Sequence, residues 1–229
     1  MMKETRKTIY DTLLGPPLFQ GLGHSSIMDV VGHTKIHFTH HAPGEQIVSA
    51  YSPCQSIIFL IKGGLKVVTF SDDRSYHVEE LEHAPFVIEP ERLFGFSQNY
   101  SSSYMATSNV DLMHISKNEV ITLAANYYVF RINLLNILTT QNQRLLRRPW
   151  RTIPRNRREK IVRFFVDHSS HPAGHKLFHI GMQQLATHIG ESRLNVSREL
   201  HAMTSEGLLS LARGIIEVPA LEQLLLSQH

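Results

Sequence analysis

The sequence predicts an α+β chain: an N-terminal antiparallel β-roll (double-stranded β-helix, or jelly-roll, type), a long helix, and a C-terminal winged helix-turn-helix. Three observations predict it. Between residues 33 and 116, short β-rich runs alternate with turn signals. From about 117 to 148, apolar residues recur at helical spacing. From 181 to 217, two short helical patterns meet at a glycine, and two apolar runs around Arg213-Gly214 follow.

Residues 8–31 read as a short helical entry carrying Leu13, Leu14, Leu18, Phe19, Leu22, Ile27 and Val30, interrupted by Pro16-Pro17. The expected strands are 35–40, 46–50, 56–62, 64–70, 76–81, 86–88, 103–107 and 111–115. Pro43-Gly44, Ser52-Pro53, Gly63-Gly64, Ser71-Asp72-Asp73 and Gly95 punctuate them. Such a roll is a container, and a container does not name its contents.

In the helical stretch, Leu134, Leu138, Gln141 and Leu145 are spaced 4, 3, 4, and Phe130, Leu134, Ile137 and Gln141 form a seam beside them. A helix apolar on two sides suits both its own core and a partner helix. A basic junction follows. Eight Arg and one Lys stand against one Glu between Arg144 and Arg163, with Pro149 and Pro154 breaking the helix there. Ile161, Phe164, Phe165 and His168 then mark an amphipathic helix, Pro172-Ala173-Gly174 a turn, and 176–180 a short strand.

Met182, Leu185, Ala186 and Ile189 share one face of a two-turn helix, and Gly190 suits its left-handed cap. Ser192 caps the next helix, whose inward positions are Val196, Leu200 and Met203. In a helix-turn-helix the second helix enters the major groove N-terminus first. Arg193 and Arg198 can grip phosphates or guanine, Asn195 can read adenine, and Ser197 can bond to either. Gln183 suits backbone phosphate, and Arg213 sits at the tip of the wing.

The chain has 229 residues, 42% apolar and 19% charged, an ordinary globular composition. The single cysteine, Cys54, excludes an internal disulfide and cannot hold an iron–sulfur cluster, which needs about four thiolates. A cytoplasmic protein is expected, with no signal peptide and no apolar run of about 18 residues to span a membrane. Residues 1–143 hold 10 Lys/Arg and 13 Asp/Glu (−3), whereas 144–229 hold 13 and 7 (+6). A basic domain beside an acidic one is a footprint of a polyanion partner such as double-stranded DNA.

The order of elements resembles the Crp/Fnr superfamily of transcription regulators over nearly the whole chain. Its most specific part is Leu185-Ala186-x-x-Ile189-Gly190-x-Ser192-Arg193-x-x-Val196-Ser197-Arg198-x-Leu200, followed by Gly207-Leu208-Leu209. Pro17-Leu18-Phe19-Gln20-Gly21, Pro43-Gly44-Glu45 and Phe59-Leu60-Ile61-Lys62-Gly63-Gly64 fit it as well, with a flavour similar to regulators of the Bacteroidetes. The resemblance implies no enzyme but a homodimer, joined through Phe130, Leu134, Ile137, Leu138, Gln141 and Leu145, that reads a two-fold operator and contacts RNA polymerase. It implies three parts: an effector-sensing, cyclic-nucleotide-binding-like roll at 1–116, a dimerisation helix and hinge at 117–150, and the winged helix-turn-helix at 151–229.

Two departures matter. Family members often carry Glu after the recognition-helix Arg, where this chain has Leu194; a thymine methyl contact is the natural replacement. In the roll, the phosphate-binding Arg-Ser pair of cyclic-nucleotide binders falls on Tyr100-Ser101, and a phenol cannot replace a guanidinium. Glu91 and Arg92, out of spacing for that motif, complete the candidate effector pocket with Tyr100 and Ser101. The effector and cofactor stay unknown, and cyclic nucleotide is disfavoured. Two alternatives stand beside a sensing roll: one filled by its own Phe94, Phe96, Tyr100 and Tyr104, and a cupin-like metal protein. The 15 histidines, His33, His37, His40, His41, His77 and His83 among them, show no zinc-signature spacing, so no metal site is expected. Cys54 reads as an ordinary buried thiol rather than a redox sensor.

Overall fold

The computed structural model describes Leu13 and residues 15–227; the rest of the expected helical entry before Gly15, Leu14 included, lies outside the described residues. The chain forms two compact units. The first runs to Leu65 and resumes from Glu82 to Arg147; the second holds Lys66–Leu81 and everything from Arg148.

In the first unit, β1 (Ile36–His41), β8 (Val110–Ser116), β3 (Ser56–Lys62) and β6 (Phe86–Ile88) form one antiparallel sheet in that order. β2 (Gln46–Val48) pairs with β7 (Ser102–Ala106) across a register shift. The central strand β3 is apolar on both faces, and Ile57, Ile58, Phe59 and Leu60 are all buried. A 3-10 turn at Pro17–Phe19 and helix α1 (His24–His33) precede the roll. Helix α2 (Lys117–Asn126) starts where Ser116 Oγ accepts the Glu119 N–H.

The helical stretch is not one helix. Tyr127 adopts an extended conformation (φ −117°, ψ 103°) and ends α2, and α3 (Tyr128–Arg147) begins after it. Phe130 on α3 packs 5.4 Å from Phe19, which lies 6.2 Å from Phe59, so these three rings join α3 to the roll. Asn133 Nδ2 donates to the carbonyls of Leu18 and Gln20 at 3.2 and 2.8 Å. Phe130 and Leu134, expected on the partner-facing seam, are therefore buried in their own unit. Ile137, Leu138 and Gln141 are half-buried, while Leu135, Leu145 and Leu146 are exposed.

In the second unit, one sheet runs β10 (Ser210–Ala212), β11 (Ile215–Val218), β9 (Lys176–His179), β5 (His77–His83), β4 (Gly64–Phe70). The 66–81 hairpin, read from sequence as part of the roll, thus groups with the C-terminal residues. Two contacts explain this. Val78 opposes Phe178 and is buried among Phe164, Phe165 and Phe178. Glu80 opposes Lys176, and their charges meet at 2.7 Å with both side chains at most 3% exposed. The hairpin tip is closed by Asp73, whose carboxylate accepts from Ser71 Oγ (2.7 Å), Ser75 N (3.0 Å) and Ser75 Oγ (2.6 Å). Those bonds, from Ser75 and then Ser71, lower its pKa to about 2. Helices α4 (Arg157–Asp167), α5 (Met182–Ile189), α6 (Arg193–Ser205) and α7 (Leu221–Leu226) cover one core with the sheet.

Candidate nucleic-acid interface

The second unit holds the helix-turn-helix on α5 and α6. Leu185 and Ala186 are fully buried, and the small Ala186 permits close approach of α6. Gly190 takes the left-handed conformation (φ 66°, ψ 41°), and Glu191 N–H donates back to the Ala186 carbonyl at 2.9 Å. Ser192 Oγ then accepts the Asn195 N–H at 3.2 Å, so its hydroxyl serves as the N-cap of α6. Val196, Leu200 and Met203 point into the core at the expected spacing.

That burial leaves Arg193, Leu194 and Arg198 exposed on the opposite face, with Leu194 60% accessible. Arg193, Arg198 and Arg213 make no ion pair among the described residues. Gln183 is exposed near the start of α5. Asn195 is different: it is half-buried, and its Nδ2 lies 3.5 Å from Glu191 Oε2. Ser197 is half-buried as well. The wing is β10 and β11, paired through Leu211 and Ile216, with exposed Arg213 and a left-handed Gly214 (φ 74°) at the tip.

Much of the basic junction is internally paired. Arg158 Nε donates to Glu199 at 2.9 Å and its Nη1 to Glu206 at 2.8 Å. Those bonds push the guanidinium pKa up and the Glu206 pKa down. Lys160 donates to Glu191 at 2.7 Å, lowering the Glu191 pKa, and Arg157 lies 3.6 Å from the same carboxylate. Arg151 pairs with Asp167 at 2.8 Å. Arg157, Arg158, Lys160 and their partners Glu191 and Glu199 line a surface cavity of about 560 Å³ with Arg155 and Asn156. Their pairing was not readable in advance, because each acidic partner lies far along the chain.

The residues expected to line an effector pocket lie in the first unit. Glu89, missed by the sequence reading, is their hub. It sits in a left-handed conformation (φ 33°), nearly buried, before a 3-10 turn at Pro90–Arg92. Its carboxylate accepts the Ser101 N–H (2.7 Å), the Ser102 N–H (3.0 Å) and the Tyr104 hydroxyl (3.1 Å). Arg92 Nε lies 3.5 Å from it. Two of the expected residues, Arg92 and Ser101, are thus brought together by Glu89, and Glu91 is exposed beside them.

Tyr100 is buried with its hydroxyl 3.4 Å from the Ser56 carbonyl. Burial drives its pKa, like that of Tyr104, far above the ordinary phenol value. Of the side chains expected to fill the roll, Tyr100 and Tyr104 are buried, whereas Phe96 is fully exposed. Cys54 is buried with Sγ 3.6 Å from the Ser56 carbonyl, and burial raises its pKa, the opposite of a reactive thiolate.

Residues 159–226 match the family described as the Crp-like helix-turn-helix domain. No curated protein matches the chain. Among solved structures, a protein described as a transcriptional regulator of the Crp/Fnr family from Eubacterium rectale aligns at 15% identity with a TM-score of 0.54. The alignment covers 96% of this chain and 99% of that one, and shows the shared fold. The catabolite activator protein of Thermus thermophilus aligns at 21% identity, TM-score 0.49, over 93% and 100% of the two chains. DNR of Pseudomonas aeruginosa aligns at 17%, TM-score 0.45, over 96% and 98%. No helix of the described residues is long and apolar enough to cross a membrane. The residues that build α4 to α7 thus carry a Crp-like helix-turn-helix domain, and the chain as a whole shares its fold with a Crp/Fnr-family regulator.

Proposed function

We propose that the chain acts as a cytoplasmic homodimer that reads a two-fold operator through α6 and tunes transcription in contact with RNA polymerase. The observation that carries this reading is the outward face of α6: Arg193, Leu194 and Arg198 are exposed, and both guanidiniums are free of ion pairs among the described residues. Arg193 and Arg198 supply phosphate or guanine contacts, Leu194 an apolar contact to a thymine methyl, and Gln183 and Arg213 backbone contacts from either side. Asn195, Ser197 and Ser192 take smaller parts, because the first two are half-buried and the third caps the helix. The dimer seam runs along α3 through Ile137, Leu138, Gln141 and Leu145, extended by exposed Leu135 and Leu146. The half-sites then lie about 34–36 Å apart, or a multiple of that.

The roll senses an unidentified small effector in this reading. A self-filled roll is a second reading, favoured by Glu89: the chain's own carboxylate takes the amides of Ser101 and Ser102 and engages Arg92. A cyclic phosphate at this place would meet a carboxylate rather than a free guanidinium.

The test of the main reading is Arg198→Ala. Operator binding should fall to the non-specific level on a DNA selected from a random library at stated salt, with dimer and fold intact. Specific binding unchanged from the parent would refute the docking model.

A further inference from the structure

On β5, His77 and Glu79 are two residues apart and so share one face of the strand. On β9, His179 is the register partner of His77. The two imidazoles stack with centroids 4.1 Å apart and planes 12° from parallel. Glu79 Oε1 lies 3.4 Å from His179 Nε2 and 3.8 Å from His77 Nε2, and the three ligand atoms all fall within 4.8 Å of one another.

These separations fit one ion. Bonds of about 2.0–2.2 Å to zinc in a tetrahedral arrangement put neighbouring ligand atoms roughly 3.3–3.5 Å apart. χ2 of histidine is a broad torsion, so each ring can re-aim its Nε2 without a change of strand register. A second observation points the same way. His179 Nε2 is buried and has no hydrogen-bond partner among the described residues, although a carboxylate oxygen stands 3.4 Å away. A buried polar atom left in this state calls for a guest. The other oxygen of Glu79, Oε2, lies 3.6 Å from Lys66 Nζ, so the carboxylate is held in place while Oε1 faces the imidazoles.

We propose that His77, Glu79 and His179 form a binding site for one divalent transition-metal ion, zinc in the first instance, which staples β5 to β9. Two imidazoles and one carboxylate suit zinc, nickel, cobalt or copper and do not suit magnesium or calcium. Three protein ligands leave at least one coordination position for water. The staple joins positions about a hundred residues apart in the chain, so its loss is felt as loosened pairing between the 66–81 hairpin and β9.

The experiment uses the full-length protein stripped of metal with a chelator. Zinc titration by calorimetry should show one tight equivalent per chain. The thermal midpoint should rise by about 5–10 °C at free zinc a hundredfold above Kd. His77→Gln with His179→Gln should weaken that equivalent at least a hundredfold and abolish the thermal shift. Magnesium should produce neither effect. In wild-type protein, zinc should move the side-chain nitrogen resonances of His77 and His179, a readout that stands even if the double variant fails to fold. Zinc held equally well by a folded double variant would belong to other histidines and would overturn the proposal, as would unmoved resonances or no binding by the parent.

Discussion

The Glu80–Lys176 pair allows a sharp test of what holds the 66–81 hairpin to β9. Lys176→Met removes the cation and leaves a carboxylate 2% exposed. Three bonds to Glu80 survive the change: Ser170 N–H lies 3.0 and 3.1 Å from its two oxygens, and Ser170 Oγ donates at 2.7 Å. These bonds soften the loss but do not neutralise the charge. Removing one partner of a buried ion pair costs about 3–5 kcal/mol, because the remaining charge is uncompensated. For a unit of roughly 100 residues that corresponds to a midpoint lowered by about 12 °C or more. Denaturant unfolding followed by circular dichroism reads the loss, and amide exchange localises it to β5 and β9. The Glu80→Gln, Lys176→Met double variant should cost clearly less than the sum of the two singles, since each single strands the other's charge. A Lys176→Met protein within about 1 kcal/mol of the parent would refute this reasoning.

Two further predictions concern other parts of the chain. Gly63→Ala should destabilise by more than about 2 kcal/mol, because the glycine has φ +91° and a Cβ there would sit 2.5 Å from the Asn109 carbonyl oxygen; Gly190→Ala, left-handed but in open space, should cost only about 1 kcal/mol. Equal losses in the two variants, by denaturant titration, would count against the steric argument. His168 stacks on Phe164 at 4.0 Å, and burial lowers its pKa, with His188 and Arg148 acting in the same direction and the Phe164 carbonyl and Asp167 opposing. The unfolded chain therefore binds the proton more readily, so the neutral ring's contribution is full above about pH 6.5 and is lost as pH falls below it. His168→Gln should flatten that acid-side slope, measured as unfolding midpoint against pH, and a slope identical to the parent's would sink the assignment.

Much of the fold was legible because its signals are local. Strands 56–62, 64–70 and 86–88 coincide with their observed limits, since glycine and turn residues mark their ends. The inward face of α6 was legible for the same reason, and its exposed arginines follow by subtraction. The break at Tyr127 was not, because no proline or glycine announces it; just beyond it Phe130 packs against Phe19. That same packing buries Phe130 within its own unit, which periodicity alone cannot detect. Alternation along residues 76–81 identified a strand but could not name its neighbour, so the pairings of Glu80 with Lys176 and of His77 with His179 were invisible. Glu89 was missed because two of its partners, the Ser101 and Ser102 N–H groups, are backbone amides, which leave no mark in a sequence.

The grouping of residues 66–81 with the C-terminal unit bears on how this protein can be taken apart. A single cut near Arg148 would not release an intact DNA-binding module, because two strands of its sheet are encoded before the cut. The fragment would begin life with β9 as a bare edge, Phe178 stripped of Val78 and Lys176 of its counter-charge. Bare edges of this kind recruit other chains. A faithful excision would need the hairpin grafted back, and proteolysis of the whole protein should favour nicking over clean separation.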